Sequence, residues 1–228
     1  MNRTATTLGL ATLLALPLAF AGCAETSSSP SNTTAEESVV HVGHTLPLDA
    51  DGATPVLTQA ETDGILLMRE EEKLARDVYL ILSDMWNTNT FGNISQSEQT
   101  HMDEVMLLID KYGLTDPVAD NETGVFNNAD LQQLYDELVA QGSQSEIDAL
   151  KVGAAIEEID ILDLEELLAQ TDNADIEQVY GDLLTGSMKH LSSFTSVLAK
   201  RGVTYEPTYL TREAYDQILG SDFSRGGK

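Results

Sequence analysis

Residues 65–86 read ILLMREEEKLARDVYLILSDMW, and steps of three and four through that run land on Ile65, Met68, Glu72, Ala75, Tyr79, Leu82 and Trp86. A turn of α-helix takes 3.6 residues, so this series is one face of a helix, and Glu72 is its only charge. Three further segments repeat the pattern. Ile94, Glu98, His101, Val105, Leu108 and Tyr112 form the second stripe, and Leu150, Ala154, Glu157, Ile161, Leu164 and Leu168 the third. Ile176, Tyr180, Leu183, Ser187, His190, Phe194 and Val197 form the fourth. Four apolar stripes of this length predict an all-α four-helix bundle in which each stripe faces the core.

Every stripe is broken near its middle by polar residues: Glu72, then Glu98 and His101, then Glu157, then Ser187 and His190. A charge facing a core is costly unless it is paired or bound to a cation. Four interruptions at similar depth therefore suggest that they meet. Glu98-x-x-His101 puts a carboxylate and an imidazole on one side of a helix, and a Glu from a neighbouring helix would complete a shell around a hard divalent or trivalent cation. His101 and His190 are the only histidines of the folded region, and both lie on inward faces. Two other readings use the same residues. Ser95-x-x-Glu98 has the spacing of a capping box, which would place Glu98 at a helix start. His101 and His190 can also be core histidines hydrogen-bonded to Glu72 and Glu157 without an ion. Glu70, Glu71, Glu158 and Glu165 fall off the stripes and are expected in solvent.

Between the second and third stripes, about Gly113 to Ser145, lies a long connection. Ala129 to Leu138 reads as an extra helix there, N-capped near Asn128 and closed at Gly142. Such a crossover lets the second and third bundle helices run parallel. Asp120-Asn121-Glu122-Thr123-Gly124 is oxygen-rich but lacks the EF-hand spacing, so a polar turn is expected. The stretch Val203 to Gly220, with Tyr205, Pro207, Tyr209, Leu210 and Tyr215, is expected to pack a short last helix on the bundle.

The N-terminus sets the expected compartment. Arg3 precedes an apolar run from Leu8 to Phe20, too short to span a bilayer, and Ala21-Gly22 leads into Cys23. Residues 1–22 thus read as a lipoprotein signal peptide and Cys23 as the lipidation site, which anchors the chain to a membrane in the cell envelope, outside the cytoplasm. Residues 23–55, rich in Ser, Thr, Asn and Glu, read as a disordered tether, with His41 and His44 incidental to it. Residues 56–220 are the folded domain and 221–228 a flexible tail. Cys23 is the sole cysteine, so disulfides, thiolate catalysis and iron–sulfur ligation drop out. With 38 acidic against 12 basic residues and a formal charge of -26, the chain repels phosphate backbones, and nucleic acid is excluded as a partner. No nucleophile triad, phosphate-cradling glycine loop or dinucleotide fingerprint occurs.

EEEKLARDVY (Glu70 to Tyr79), SEQTHMDEV (Ser97 to Val105), YGLTDPV (Tyr112 to Val118), ALKVGAAIEEIDILDL (Ala149 to Leu164) and GSMKHLSSF (Gly186 to Phe194) together resemble the ferritin-like family catalogued as domain of unknown function 2202. The resemblance implies a ferritin-like four-helix bundle with the crossover helix between helices 2 and 3; the family name leaves the activity open. A wider resemblance is to rubrerythrin-type di-iron carboxylate proteins, whose first helix carries a ligand Glu seven residues before a Tyr, as Glu72 precedes Tyr79. Carried over position by position, their ligands fall on Glu72, Glu98, His101, Glu157 and His190, with Asp160 as an additional ligand one turn beyond Glu157. Ser187 departs from that pattern by replacing a carboxylate, which leaves one ion, an asymmetric pair using Asp160, or no ion. The resemblance implies iron as the cofactor, with manganese as the alternative, and a redox role in which Tyr79 or Tyr180 is close enough to be oxidised. The contrasting expectation is a metal-free envelope protein that binds or supports a partner. Expected partners are the membrane, metal cations and, as an assembly the bundle would allow, a second copy in a homodimer.

Overall fold

Five of the six helices among the described residues start on a side-chain cap. In the computed structural model, which describes residues 56–119 and 121–221, α1 spans Gln59–Trp86 and opens with a capping box in which Thr58 and Glu61 each satisfy the other's backbone N–H. Asn128, Ser145, Asn173 and Thr211 cap α3 (Ala129–Gly142), α4 (Glu146–Leu168), α5 (Ala174–Lys200) and α6 (Arg212–Gly220). The exception is α2 (Asn89–Tyr112), whose preceding Thr88 hydroxyl donates instead to Glu146 at 2.5 Å. Left-handed residues end the first two helices, Asn87 at φ 50° and Gly113 at φ 64°. The described residues are all helix, turn and connection, with no strand among them.

Contacts along the helices fix their directions. Arg69 donates to the carbonyl of Met102 at 2.7 Å and Arg76 to Gln99 at 2.6 Å, so α1 and α2 run antiparallel. Tyr79 reaches Gly153 and Glu157 while Gly64 lies against Leu167, so α1 and α4 are antiparallel too. It follows that α2 and α4 are parallel, the relation the long crossover predicts. On α5, Phe194 packs on Gly153 of α4 and Gly186 on His101 of α2. A Cβ at Gly153 would come within 2.6 Å of the Phe194 ring, so only glycine lets α4 and α5 approach this closely.

The core runs between these four helices. Tyr79, Phe91 and Phe194 form an aromatic cluster with centroids 5.3 to 6.0 Å apart, and each is fully buried. Burying one such ring is worth about 1.5–3 kcal/mol relative to leaving it exposed. The crossover is pinned to α1 by Lys73, a buried cation that pairs with Asp77, donates to the Glu122 carbonyl at 2.9 Å and lies over the Phe126 ring. Asp77 in turn accepts from the Gly124 amide at 2.8 Å. The 121–124 stretch is accordingly a turn with Gly124 at φ 77°. Helix α3 takes the predicted position and start, and extends through Gly142, whose carbonyl accepts from the Trp86 indole at 2.9 Å.

Three sequence expectations are corrected. Ser95 and Glu98 are not a helix start, because α2 begins at Asn89 and the Ser95 hydroxyl donates back to the Gly92 carbonyl. Glu71 is buried, not solvated, because α1 is covered on more sides than its single stripe indicates. Glu158 is also buried: it accepts from the amides of Thr208, Tyr209 and Leu210 and from the Tyr205 hydroxyl at 2.6 Å, and so fastens the segment before α6 onto α4. Glu165 is exposed and Glu70 half-buried. The signal segment, Cys23, the tether with His41 and His44, Asp120 and the tail beyond Ser221 lie outside the described residues. No helix among the described residues is long and apolar enough to cross a membrane.

Candidate metal centre

The four polar interruptions meet. Glu72 comes from α1, Glu98 and His101 from α2, Glu157 and Asp160 from α4, and His190 and Ser187 from α5, all buried. Each sits mid-helix, where rigid backbone holds its Cβ. His101 Nδ1 lies 2.8 Å from Glu98 Oε2 and 3.1 Å from Glu72 Oε2. His190 Nδ1 lies 3.0 Å from Glu98 Oε1 and 3.5 Å from Glu157 Oε2. Both imidazoles thus turn the same nitrogen towards the carboxylates, with their rings stacked 5.4 Å apart. The other nitrogen of His190 bonds the Ser97 hydroxyl at 2.9 Å, which fixes the ring's orientation.

Glu98, His101 and His190 each offer one ligand atom, and those atoms lie within 4.8 Å of one another, a spacing that suits one metal ion. Around them the hydrogen bonding is incomplete. Glu72 Oε1, Glu98 Oε1, Glu157 Oε2, Asp160 Oδ2 and His190 Nδ1 are buried and have no hydrogen bond, since the His190 contacts are within ion-pair distance but poorly directed. The pairing of core histidines with Glu72 and Glu157 is therefore present, yet it leaves atoms aimed inward that a cation would satisfy. Tyr79 donates to Glu157 Oε1 at 2.6 Å and orients that carboxylate. Ser187 does not contribute: its hydroxyl donates to the Leu183 carbonyl at 3.1 Å, within its own helix.

Charge in the site is strongly coupled. Burial raises the Glu157 carboxyl and the Glu98 charge raises it further, to about 7 against the opposing pull of His190. Burial would raise Glu98 as well, but the two imidazoliums outweigh it and hold Glu98 at about 2. Burial disfavours the His190 imidazolium, and Glu157 with Glu98 overcomes this and pushes it up to about 10. His101 is raised in the same manner against its own burial, chiefly by Glu72 and Glu98. Glu72 is raised by burial, with His101 opposing. Asp160 is raised well above the usual carboxylate range by burial and then by Glu72, Glu157, Glu71 and Glu98. Without a metal the site is thus neutralised by protons on imidazoles and carboxyls.

The sequence profile described as an uncharacterized protein domain, DUF2202, matches residues 61–222, and that span contains every residue of this centre. The chain belongs to the DUF2202 family. Among its relatives is an uncharacterized protein of Methanocaldococcus jannaschii, MJ0754, 48% identical over 170 residues, which cover 75% of this chain and 92% of the relative. The crystal structure of that hypothetical protein superposes on this DUF2202 chain with a TM-score of 0.73 at 47% identity, covering 75% of this chain and 98% of the other. Glu71 and Asp163 are acidic residues near the centre that the stripe reading passed over. Asp163 follows Asp160 by one helical turn, and that i, i+3 spacing was the available signal.

Proposed function

We propose that this DUF2202 chain is a metal-binding protein whose ion is held in the bundle core by Glu98, His101 and His190, with Glu72, Glu157 and Asp160 completing the shell. The observation that carries the reading is the set of buried, undirected oxygen and nitrogen atoms surrounding three side chains already at metal-ligand spacing. Mixed carboxylate and imidazole donors suit iron, with manganese as the alternative. Bound iron would supply one-electron and oxygen chemistry. The chain's own residues would do the rest. Glu98 lies between the two imidazoles, 2.8 Å from His101 Nδ1 and 3.0 Å from His190 Nδ1, so it sets their separation. Tyr79 holds Glu157 in place and, as a tyrosine bonded directly to a carboxylate of the shell, is placed to be oxidised. The aromatic cluster of Tyr79, Phe91 and Phe194 closes the adjacent end of the core to water. A ferritin-like description of the bundle is supported by the parallel α2 and α4 joined through a long crossover. Tethering at a membrane outside the cytoplasm through Cys23 is supported by the apolar run ending at Ala21-Gly22.

The test is elemental analysis of the full chain after anaerobic loading with iron or manganese and desalting, beside a Glu72→Ala/His101→Ala double variant. Near-stoichiometric metal that the double variant loses is the expected result. Equal and negligible metal in both proteins would sink the reading and leave a metal-free envelope binding protein.

A further inference from the structure

One turn along α1 and α4 from the histidine-lined centre lies a second group of acids. The register set by Tyr79 on Glu157 and Gly64 on Leu167 brings Glu71 of α1 level with Asp160 of α4. Asp163 follows Asp160 at i, i+3 and so shares its face. Glu71 is 5% exposed, Asp160 3% and Asp163 7%. Neither oxygen of Glu71 has a hydrogen-bond partner, nor does Asp160 Oδ2, nor the buried hydroxyl of Tyr180.

The basic residues flanking Glu71 in sequence are committed elsewhere. Arg69 bonds Asp116 and the Met102 carbonyl; Lys73 pairs with Asp77 and the Glu122 carbonyl. An uncompensated carboxylate with both oxygens buried is among the costliest groups a core can hold. The Tyr180 hydroxyl belongs to the same neighbourhood: a Cβ at Gly64, two turns before Glu71 on the same face of α1, would lie 3.2 Å from it.

We propose that Glu71, Asp160 and Asp163 form a second cation site, with the Tyr180 hydroxyl beside it, that takes a hard divalent ion through oxygen alone. All-oxygen donors select manganese, magnesium or calcium over metals that prefer nitrogen or sulfur. The site goes beyond the histidine-lined centre. Asp160 lies at the boundary of the two, whereas Glu71 and Asp163 belong to the second alone. Two ions held in this way would be offset along the α1–α4 seam.

The full chain, stripped with chelator, is titrated with Mn2+ while the free ion is followed by its EPR signal, beside Glu71→Gln, Asp163→Asn and His101→Ala. The wild type is expected to take up two tight equivalents, Glu71→Gln one, and His101→Ala one, with Asp163→Asn weakening one equivalent by about 10-fold or more. Metal-free Glu71→Gln should also melt at a higher temperature than the wild type, because it removes a buried carboxyl that folding must protonate, so its lost equivalent would not reflect misfolding. Should that variant not fold, Asp163→Asn carries the test. Equal uptake by wild type and Glu71→Gln, or loss of both equivalents in His101→Ala, overturns the second site. A wild type that takes one equivalent, lost only in His101→Ala, overturns the second site and leaves the histidine-lined centre standing.

Discussion

Replacing Gly186 by alanine perturbs the ligand His101 without substituting any ligand. The added Cβ would lie 2.4 Å from His101 Nε2 and 2.5 Å from its Cε1. Ordinary contact needs roughly 1 Å more, and the ring has little room to retreat because its far nitrogen is held by Glu98 at 2.8 Å and Glu72 at 3.1 Å. Overpacking of this kind costs about 1–3 kcal/mol. Glycine to alanine inside a helix returns about 1 kcal/mol of propensity. The net loss of apo stability is then about 0–2 kcal/mol, a melting shift of a few degrees for a domain of this size. Metal affinity is expected to fall much further, by about 10–100-fold, as when a residue that orients a ligand is removed. Thermal melts of the chelator-stripped protein and metal-binding isotherms of the same samples measure the two quantities. Wild-type affinity in Gly186→Ala would refute both the ring's confinement and its role as a ligand.

Glu158→Gln should cost about 2–3 kcal/mol in chemical denaturation, since hydrogen bonds to a charged acceptor are lost, and should speed amide exchange at Thr208, Tyr209 and Leu210; unchanged exchange there would count against the clamp. The metal-free protein should lose stability as pH rises from about 4.5 to 10. Glu157 is protonated up to about 7 in the fold against 4.5 when free, so its contribution is full below 4.5 and lost through 7. His190 titrates at about 10 against 6.5, so its contribution is full below 6.5 and lost through 10. Glu98, at about 2, acts in the opposite sense, and only as pH falls from 4.5 towards 2. Urea midpoints that increase between pH 5 and pH 9 would contradict this charge assignment.

Much of this centre could be read from the stripes, because Glu72, Glu98, His101, Glu157 and His190 each interrupt an otherwise apolar face and inward position follows from periodicity alone. Periodicity could not place Glu71 or Glu158. It ranks a residue by the face it shares with apolar neighbours, and α4 is buried nearly all round, from Ile156 through Ile161 without a break. Glu158 is satisfied by amides some fifty residues away, a partner no local window contains. The apparent capping box at Ser95 failed for the opposite reason: the local signal was sound, but Thr88 starts the helix two turns earlier and the ladder simply continues through it. Gly186 carried no sequence signal, because its importance is the space it leaves for a ring on another helix.

That each bundle helix delivers its own ligands has a consequence for how such chains can change over time. Inserting or deleting one residue inside α1, α2, α4 or α5 rotates everything beyond it by about 100° and swings the ligand out of the core. The connections between the helices carry no such phase, so drift in chain length is absorbed there, away from the turns that Lys73, Asp77 and Glu158 pin to the bundle. The site is in this sense a clock that keeps four helices in step.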